Sequence, residues 1–252
     1  MIELGLVGKS LRHSFSPAFF EKLWQKKGLE GSYRLFEIET INHFSEIKAR
    51  HPNLVGMNVT IPYKTAVLEY VNERSPEVEA IGACNTLLYD HHEKILAYNT
   101  DVIGLTGSLQ KLIIGRKVRI VAILGTGGTA KTAQYVVAKL YPDAKVLLFS
   151  RNISAGVHGY DLLNDASFFK RIDLFINTTP AGMFPNVNDY PPIPLDLLLD
   201  HQLIFDAIYN PSETVLMQKG RERGCGVMGG LEMLKLQALG AWQIWNDYYR
   251  WE

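Results

Sequence analysis

The stretch Val118-Arg-Ile-Val-Ala-Ile-Leu-Gly125-Thr-Gly127-Gly128-Thr-Ala130 carries the strongest structural signal in this 252-residue chain. Val118–Leu124 is almost wholly apolar, as expected of a parallel strand covered on both faces. Glycines follow at once, and Thr129–Leu140 then reads as a helix. The order of strand, glycine-rich turn and helix matches G-x-G-x-x-A in the setting that dinucleotide binding requires. Gly125 permits the tight turn, Gly127 lets the backbone approach a pyrophosphate, and Ala130 allows close contact between helix and strand. The helix N-terminus adds amide donors and a partial positive charge. A glycine-rich turn that holds no ligand is the plain alternative. A Walker-type phosphate loop is excluded, because the Gly-Lys-Ser/Thr ending is missing.

The end of the next strand distinguishes the nicotinamide cofactors. An NAD site places Asp or Glu there to accept the ribose hydroxyl. This chain has Phe149-Ser150-Arg151-Asn152 instead, and Arg151 can stack on adenine and pair with a 2′-phosphate. A solvated loop arginine is the alternative, but the absence of an acid favours NADP.

Outward from this centre, β-rich runs alternate with amphipathic helical stretches, which predicts α/β architecture with largely parallel sheets. Downstream come strands at Lys145–Phe149, Leu174–Asn177 and Leu203–Ile208, a helix at Thr214–Arg223 and a short strand near Val227. Upstream, the pattern predicts strands at Ile2–Val7, Ser32–Ile38 and Leu54–Val59, and helices at Ser16–Lys27, Ile41–Ala49 and Lys64–Val71. A hairpin, Thr86–Tyr89 with Lys94–Ala97, precedes a helix at Val102–Leu112 that Thr100 or Asp101 would cap. The final stretch, Leu231–Trp251, reads as a terminal helix. A domain boundary is expected near Asp101–Gly115, with the second domain running to about Gly230.

Composition narrows the function. Lys plus Arg and Asp plus Glu number 26 each, so net charge recommends neither nucleic acid nor an anionic membrane. With 47% hydrophobic and 21% charged residues, the chain is ordinary for a globular protein. The start, Met1–Gly8, lacks the features of a signal peptide, and no run approaches the roughly 18 apolar residues that span a bilayer. Cys84 and Cys225 show no metal-type spacing and read as reduced core thiols, so no metal and a cytoplasmic location are expected.

Polar clusters before the glycine loop hold the candidate chemistry. In His13-Ser14-Phe-Ser16-Pro17, paired hydroxyls could clasp a carboxylate, although Ser16 could equally be a helix N-cap ahead of Pro17. In Asn58-Val-Thr60-Ile-Pro62-Tyr-Lys64, Pro62 is expected to open a helix with Lys64 in its first turn. A cation there faces the positive end of a helix dipole, at a penalty of roughly 0.3–1 kcal/mol, which marks Lys64 as a candidate proton-transfer group. Asn85, in Gly82-Ala-Cys-Asn85-Thr86-Leu87, can donate and accept, as recognition of vicinal hydroxyls demands. Asp101, in Asn99-Thr100-Asp101-Val-Ile-Gly104, could orient Lys64, accept from a hydroxyl or cap a helix.

Taken in this order and spacing, the clusters resemble the shikimate dehydrogenase family over almost the whole chain. The family's Ser-x-Ser-Pro is similar to Ser14–Pro17, Asn-Val-Thr-x-Pro-x-Lys to Asn58–Lys64, Gly-Ala-x-Asn-Thr-Leu to Gly82–Leu87, and Asn-Thr-Asp-x-x-Gly to Asn99–Gly104. Asn177-Thr-Thr-Pro-Ala-Gly-Met183 and Gly230-Leu-Glu-Met-Leu-Lys-Leu-Gln237 resemble later family segments. The resemblance implies an N-terminal α/β substrate domain, 1–101 joined by a C-terminal helix 231–252. It pairs this with a Rossmann-type NADP-binding domain, 102–230, and puts the active site in the cleft between them. It implies reversible, NADPH-dependent reduction of 3-dehydroshikimate to shikimate, on the route to chorismate and aromatic amino acids. Lys64 and Asp101 would be the catalytic pair. Ser14, Ser16 and Tyr209 would hold the substrate carboxylate, while Thr60, Asn85 and Gln237 would read ring hydroxyls. Gly125, Thr126, Gly127, Gly128, Thr129, Ser150, Arg151, Ala207 and Gly230 would line the cofactor. The partner is then a small molecule, with no nucleic acid or membrane, and the protein a monomer or homodimer. The chain departs from the family in having only Arg151 where a second basic residue usually follows, and Thr214-Val215 where Thr-Pro is usual. An NAD-using quinate/shikimate dehydrogenase and a non-catalytic sensor on the same scaffold are the competing readings.

Overall fold

The computed structural model describes residues 1–11 and 14–251. Its contacts divide the chain into two compact units: Met1–Thr100 with the chain from Gln237 onward, and Asp101–Leu236. Among the described residues, no helix is long and apolar enough to cross a membrane.

The first unit runs β1 (Ile2–Gly8), α1 (Ser16–Lys27), β2 (Gly31–Glu37), α2 (Phe44–Arg50), β3 (Gly56–Val59), β4 (Glu73–Arg74), α3 (Pro76–Ile81), β5 (Thr86–Tyr89) and β6 (Ile95–Tyr98). Its sheet has the order β2-β1-β3-β5-β6-β4. β1 pairs in parallel with β2 and β3, whereas β5 runs antiparallel to both β3 and β6. The sheet is therefore mixed, because the hairpin turn after Tyr89 reverses the chain where a crossover helix would have kept it parallel. Side chains alternate between the faces of the sheet. Leu87 accordingly joins a cluster with Phe44, Met57 and Val67, while Leu88 joins one with Leu4, Phe20 and Trp245.

Two expectations in this unit are corrected. Residues 61–65 form turns, followed by a 3-10 helix at Ala66–Tyr70, not an α-helix from Lys64. One i to i+4 bond forms, from the Val67 N–H to Tyr63 O (2.9 Å), but the Lys64 carbonyl accepts the Cys84 N–H (2.8 Å) and the Leu68 N–H turns to Thr65 O (3.2 Å), so the ladder goes no further. The dipole argument for Lys64 accordingly has no helix to rest on. Ser16 is also not the N-cap of α1: Phe15 occupies that position, and Ser16 is the first helical residue with Pro17 next.

The second unit contains α4 (Asp101–Leu112), β7 (Ile120–Leu124), α5 (Gly128–Leu140), β8 (Lys145–Phe149), β9 (Val157–His158), α6 (Ala166–Phe169), β10 (Leu174–Asn177), β11 (Leu203–Asp206), α7 (Val215–Glu222), β12 (Gly226–Gly229) and the start of α8 (Leu231–Tyr249). Its sheet, β12-β11-β10-β7-β8-β9, is parallel throughout. Val121 and Ile123 pack into one buried cluster and Ala122 and Leu124 into the other, so β7 is covered on both faces as its composition demands. The chain moves from β7 to β8 in one direction and returns to place β10 on the other side of β7. The reversal puts a topological switch point at the carboxyl ends of β7 and β10, where open α/β sheets bind ligands. β11 stops at Asp206, short of the expected Ile208, because the Asp206 carboxylate accepts the Ile208 N–H (3.1 Å) and curls the chain.

Candidate active site

In the first unit, the strand ends carry polar residues into an otherwise apolar interior. Asn58 lies in β3 and is buried, as are Asn85, Thr86, Asn99, Thr100 and Gln237. Buried polar groups need partners, and here they satisfy one another. The Asn58 carboxamide donates to Asn85 O and to Thr86 Oγ1, both at 3.1 Å. Asn85 Oδ1 accepts the Thr100 N–H at 2.7 Å and the Thr86 hydroxyl at 3.1 Å. A backbone N–H can only donate, so this bond fixes which end of the Asn85 amide is oxygen. Asn85 Nδ2 is then the end that donates to Gln237 Oε1 (3.3 Å), which leaves Nε2 as the donor end of Gln237. The Thr100 hydroxyl also reaches Gln237 Oε1, at 3.4 Å. Asn99 donates to Ala83 O (2.9 Å) and ties the loop before α4 to the loop before β5.

Around this chain lie the other expected residues of the unit. Ser14 Oγ accepts the Ser16 N–H (3.4 Å), while Ser16 is buried and opposes the rise that burial causes in the pKa of the Tyr33 phenol. Thr60 follows β3 directly, its N–H held by Val7 O (2.9 Å) and its carbonyl by the Tyr63 N–H (2.9 Å). Lys64 is half-buried, and its backbone is fixed by the bond from Cys84. His13, which opened the first cluster, lies outside the described residues. The fold thus joins Asn85 and Gln237 to Tyr33, Asn58, Thr86 and Thr100, none of which the sequence singled out as a site residue. Asn58 and Thr86 did leave a signal, as polar residues inside short apolar strands. Tyr33 left none.

Asp101 and Tyr209 belong to the second unit. Asp101 is buried as the first residue of α4, where a carboxylate gains roughly 0.3–1 kcal/mol from the helix dipole. Tyr209 is half-buried after β11, and burial pushes its phenol up from the ordinary value. The loop carrying it is pinned by Asp206, whose carboxylate accepts from Asn177 Nδ2 (3.0 Å), Thr214 Oγ1 (2.7 Å) and the Ile208 N–H. Burial raises the Asp206 pKa, with these hydrogen bonds opposing it.

The glycine loop has the shape its residues predicted. Gly125 adopts φ +112°, which L side chains rarely tolerate. A Cβ there would stand 2.6 Å from Thr178 Oγ1, across the switch point. Gly127 is the N-cap of α5, with no side-chain cap, and a Cβ there would meet nothing within 4 Å. The uncapped amides of Gly128 and Thr129 therefore open onto space beside Thr126, which is exposed. Gly230 lies so close to the Ala207 carbonyl that a Cβ could not fit between them. Ser150 Oγ accepts the Asn152 N–H (3.1 Å), which shapes the turn that presents exposed Arg151. Burial raises the Tyr160 pKa, and the positive charge of Arg151 opposes that shift. A bare helix N-terminus, an open approach at Gly127 and a cation past β8 fit a phosphorylated dinucleotide.

Known proteins resemble this chain over nearly its whole length. The pattern described as the shikimate dehydrogenase substrate binding domain matches residues 6–87. A shikimate dehydrogenase (NADP(+)) of Clostridium beijerinckii is 37% identical over 251 residues, covering 96% of this chain and 91% of the relative. One from Methanococcus aeolicus is 31% identical over 257 residues, with 96% and 91% covered. Among solved structures, shikimate dehydrogenase 1 of Peptoclostridium difficile superposes with a TM-score of 0.85 at 32% identity, covering 98% of this chain and 92% of that one. A shikimate dehydrogenase in complex with NADP+ superposes with a TM-score of 0.86 at 30% identity, with 98% and 90% covered.

Proposed function

Because the chain belongs to the shikimate dehydrogenase family, we propose that it catalyses the reversible, NADPH-dependent reduction of 3-dehydroshikimate to shikimate. The observation that carries this reading is the buried Asn85–Thr100–Gln237 arrangement, in which the Thr100 N–H sets the Asn85 amide and the Asn85 amide sets that of Gln237. Such a wall presents donors and acceptors in fixed places, as discrimination among ring hydroxyls requires.

Each residue then has a task its chemistry suits. Ser14 and Ser16 donate hydroxyl hydrogen bonds to the substrate carboxylate, with Tyr209 as a further donor. Thr60, Asn85 and Gln237 read the ring hydroxyls. Gly125 to Thr129 cradle the pyrophosphate of NADP, Ser150 and Arg151 meet the 2′-phosphate, and Ala207 and Gly230 offer flat backbone to the nicotinamide half. When bound, the cofactor supplies the hydride. As the ketone carbon is reduced, negative charge grows on its oxygen; the Lys64 ammonium stabilises that charge and gives up a proton to it. Asp101 keeps the ammonium and a substrate hydroxyl in register. In the reverse direction neutral Lys64 accepts the hydroxyl proton. Cys84 and Cys225 are buried and not joined in a disulfide, which suits a reducing, cytoplasmic setting.

The test is the change in absorbance at 340 nm with shikimate and NADP, then with NAD, then with quinate replacing shikimate. Rapid reduction of NADP by shikimate supports the reading and the role of Arg151. Preference for NAD or quinate moves the protein to the NAD-using subgroup with the same catalytic pair. No turnover with any combination leaves a ligand-binding protein without catalysis.

A further inference from the structure

Tyr33 on β2 is assigned no part in the reaction above, yet its hydroxyl occupies the junction between the serine end of the polar wall and the amide end. Its ring is stacked on Phe20 (centroids 4.8 Å apart, planes 7° apart), and Phe20 is fully buried, so the phenol has little freedom to move. Its hydroxyl donates to Asn58 Oδ1 at 2.8 Å. Both hydrogens of the Asn58 amide are committed to Asn85 O and Thr86 Oγ1, so the amide cannot flip away from Tyr33. Ser16 bears on the same phenol, opposing the rise in its pKa that burial causes.

We propose that Tyr33 is a positioning residue for substrate recognition: it aims the Ser16 hydroxyl at the carboxylate and locks the Asn58 amide that supports Asn85. The inference rests on the reading that Ser16 binds the substrate carboxylate. A serine hydroxyl has one proton and rotates about its C–O bond, so its direction is set by its neighbours. With Tyr33 beside it, Ser16 can turn its proton to an arriving anion while its oxygen keeps a polar neighbour in the buried wall. A phenylalanine would give Ser16 no such neighbour and would leave Asn58 Oδ1 without its donor.

The test is steady-state kinetics of Tyr33→Phe, Ser16→Ala and the double variant, with shikimate and NADP varied separately. Tyr33→Phe is expected to raise the KM for shikimate about tenfold, the size of one net hydrogen bond. Its kcat and its KM for NADP should stay within about twofold of wild type, as NADP is assigned to the other unit. In the Ser16→Ala background the same change should raise the shikimate KM less than about threefold, because coupled residues are not additive. An unchanged shikimate KM, an equal loss for NADP, or full additivity with Ser16→Ala overturns the proposal. Should Tyr33→Phe fail to fold, 3-fluorotyrosine at position 33 keeps ring and hydroxyl but alters the balance of donor and acceptor. A shikimate KM that does not move in that protein overturns the proposal equally. Wild-type enzyme inactive on shikimate would remove the functional reading and this inference with it. Active wild type with an indifferent Tyr33→Phe removes this inference alone.

Discussion

Gly125 and Gly127 stand two positions apart in one loop, yet alanine should fail at them in opposite ways. At Gly125 the backbone sits at φ +112°, so any side chain holds it in a sparsely populated region at a cost of about 1–3 kcal/mol. The new Cβ would also stand 2.6 Å from Thr178 Oγ1. That hydroxyl cannot swing aside freely, because it donates to Leu124 O at 2.7 Å; losing the bond adds about 1 kcal/mol. Gly125→Ala should therefore destabilise the fold by about 2–4 kcal/mol, a large part of the roughly 5–15 kcal/mol that holds a domain together. At Gly127 the angles, φ −77° and ψ −171°, suit any residue, and the Cβ meets no atom within 4 Å. Alanine is a poorer N-cap than glycine, so about 0.5–1 kcal/mol of stability is expected to go. The methyl group instead fills the space through which a pyrophosphate approaches. Crowding of about 1–3 kcal/mol raises the Kd for NADP about 5- to 150-fold. Urea unfolding read as a midpoint at constant m, beside calorimetric titration with NADP, separates the two effects. A Gly125→Ala protein as stable as wild type, or a Gly127→Ala protein that binds NADP unchanged, would refute the geometry assigned to this loop.

Lys64→Ala should lower kcat by about 10²–10⁴ while the shikimate KM moves far less, as loss of a proton donor acting in the transition state demands; near-normal kcat removes Lys64 from the mechanism. Asn85→Ala deprives the Thr100 N–H of its acceptor, so unfolding in urea should show a loss of about 1–3 kcal/mol alongside a raised shikimate KM. Asp206 is held by burial above the ordinary carboxylate range, so the native state takes up its proton more readily than the unfolded chain does. Its contribution to stability is full below the unfolded pKa and is lost as pH rises through the raised native value. Relative to Asp206→Asn, the wild type should lose stability across that window, and parallel stability curves for the two proteins would contradict the assignment.

What the sequence revealed was what local chemistry controls. β7, the glycine turn and α5 were legible because burial on both faces, a positive φ and a helix start each leave a mark on neighbouring residues. The register of Lys64 was not legible. It depends on an N–H twenty residues away, at Cys84, which captures a carbonyl that a helix would have used. The hairpin of β5 and β6 was legible, but the antiparallel seat of β5 beside β3 was not, because it pairs Asn58 with Thr86 across the chain; β4, only Glu73–Arg74, is too short to show any alternation. At the candidate site, Asn85 stood out by its ability to donate and accept, and Gln237 only through the family resemblance. Their connection through Thr100 spans 137 residues and exists only once the sheet and the last helix are in place. Tyr33 sits in a strand of mixed polarity, where nothing marks one hydroxyl as buried.

Helix α8 has a consequence for how the protein is made. The boundary between the units falls within it, after Leu236. Everything the second unit needs has therefore been synthesised before Gln237 is added. The first unit, begun at the N-terminus, must wait for the chain beyond that point. Trp245, fully buried against Leu4, Phe20 and Leu88, donates its indole N–H to Leu87 O at 2.8 Å, and Gln237 closes the polar wall. On the ribosome the domain that starts first is thus completed last, with its strands bare along one face until the final residues emerge. A chain stopped at Leu236 would keep a finished second unit and carry an open apolar face on the first, the kind of half-built intermediate that chaperones hold and proteases remove.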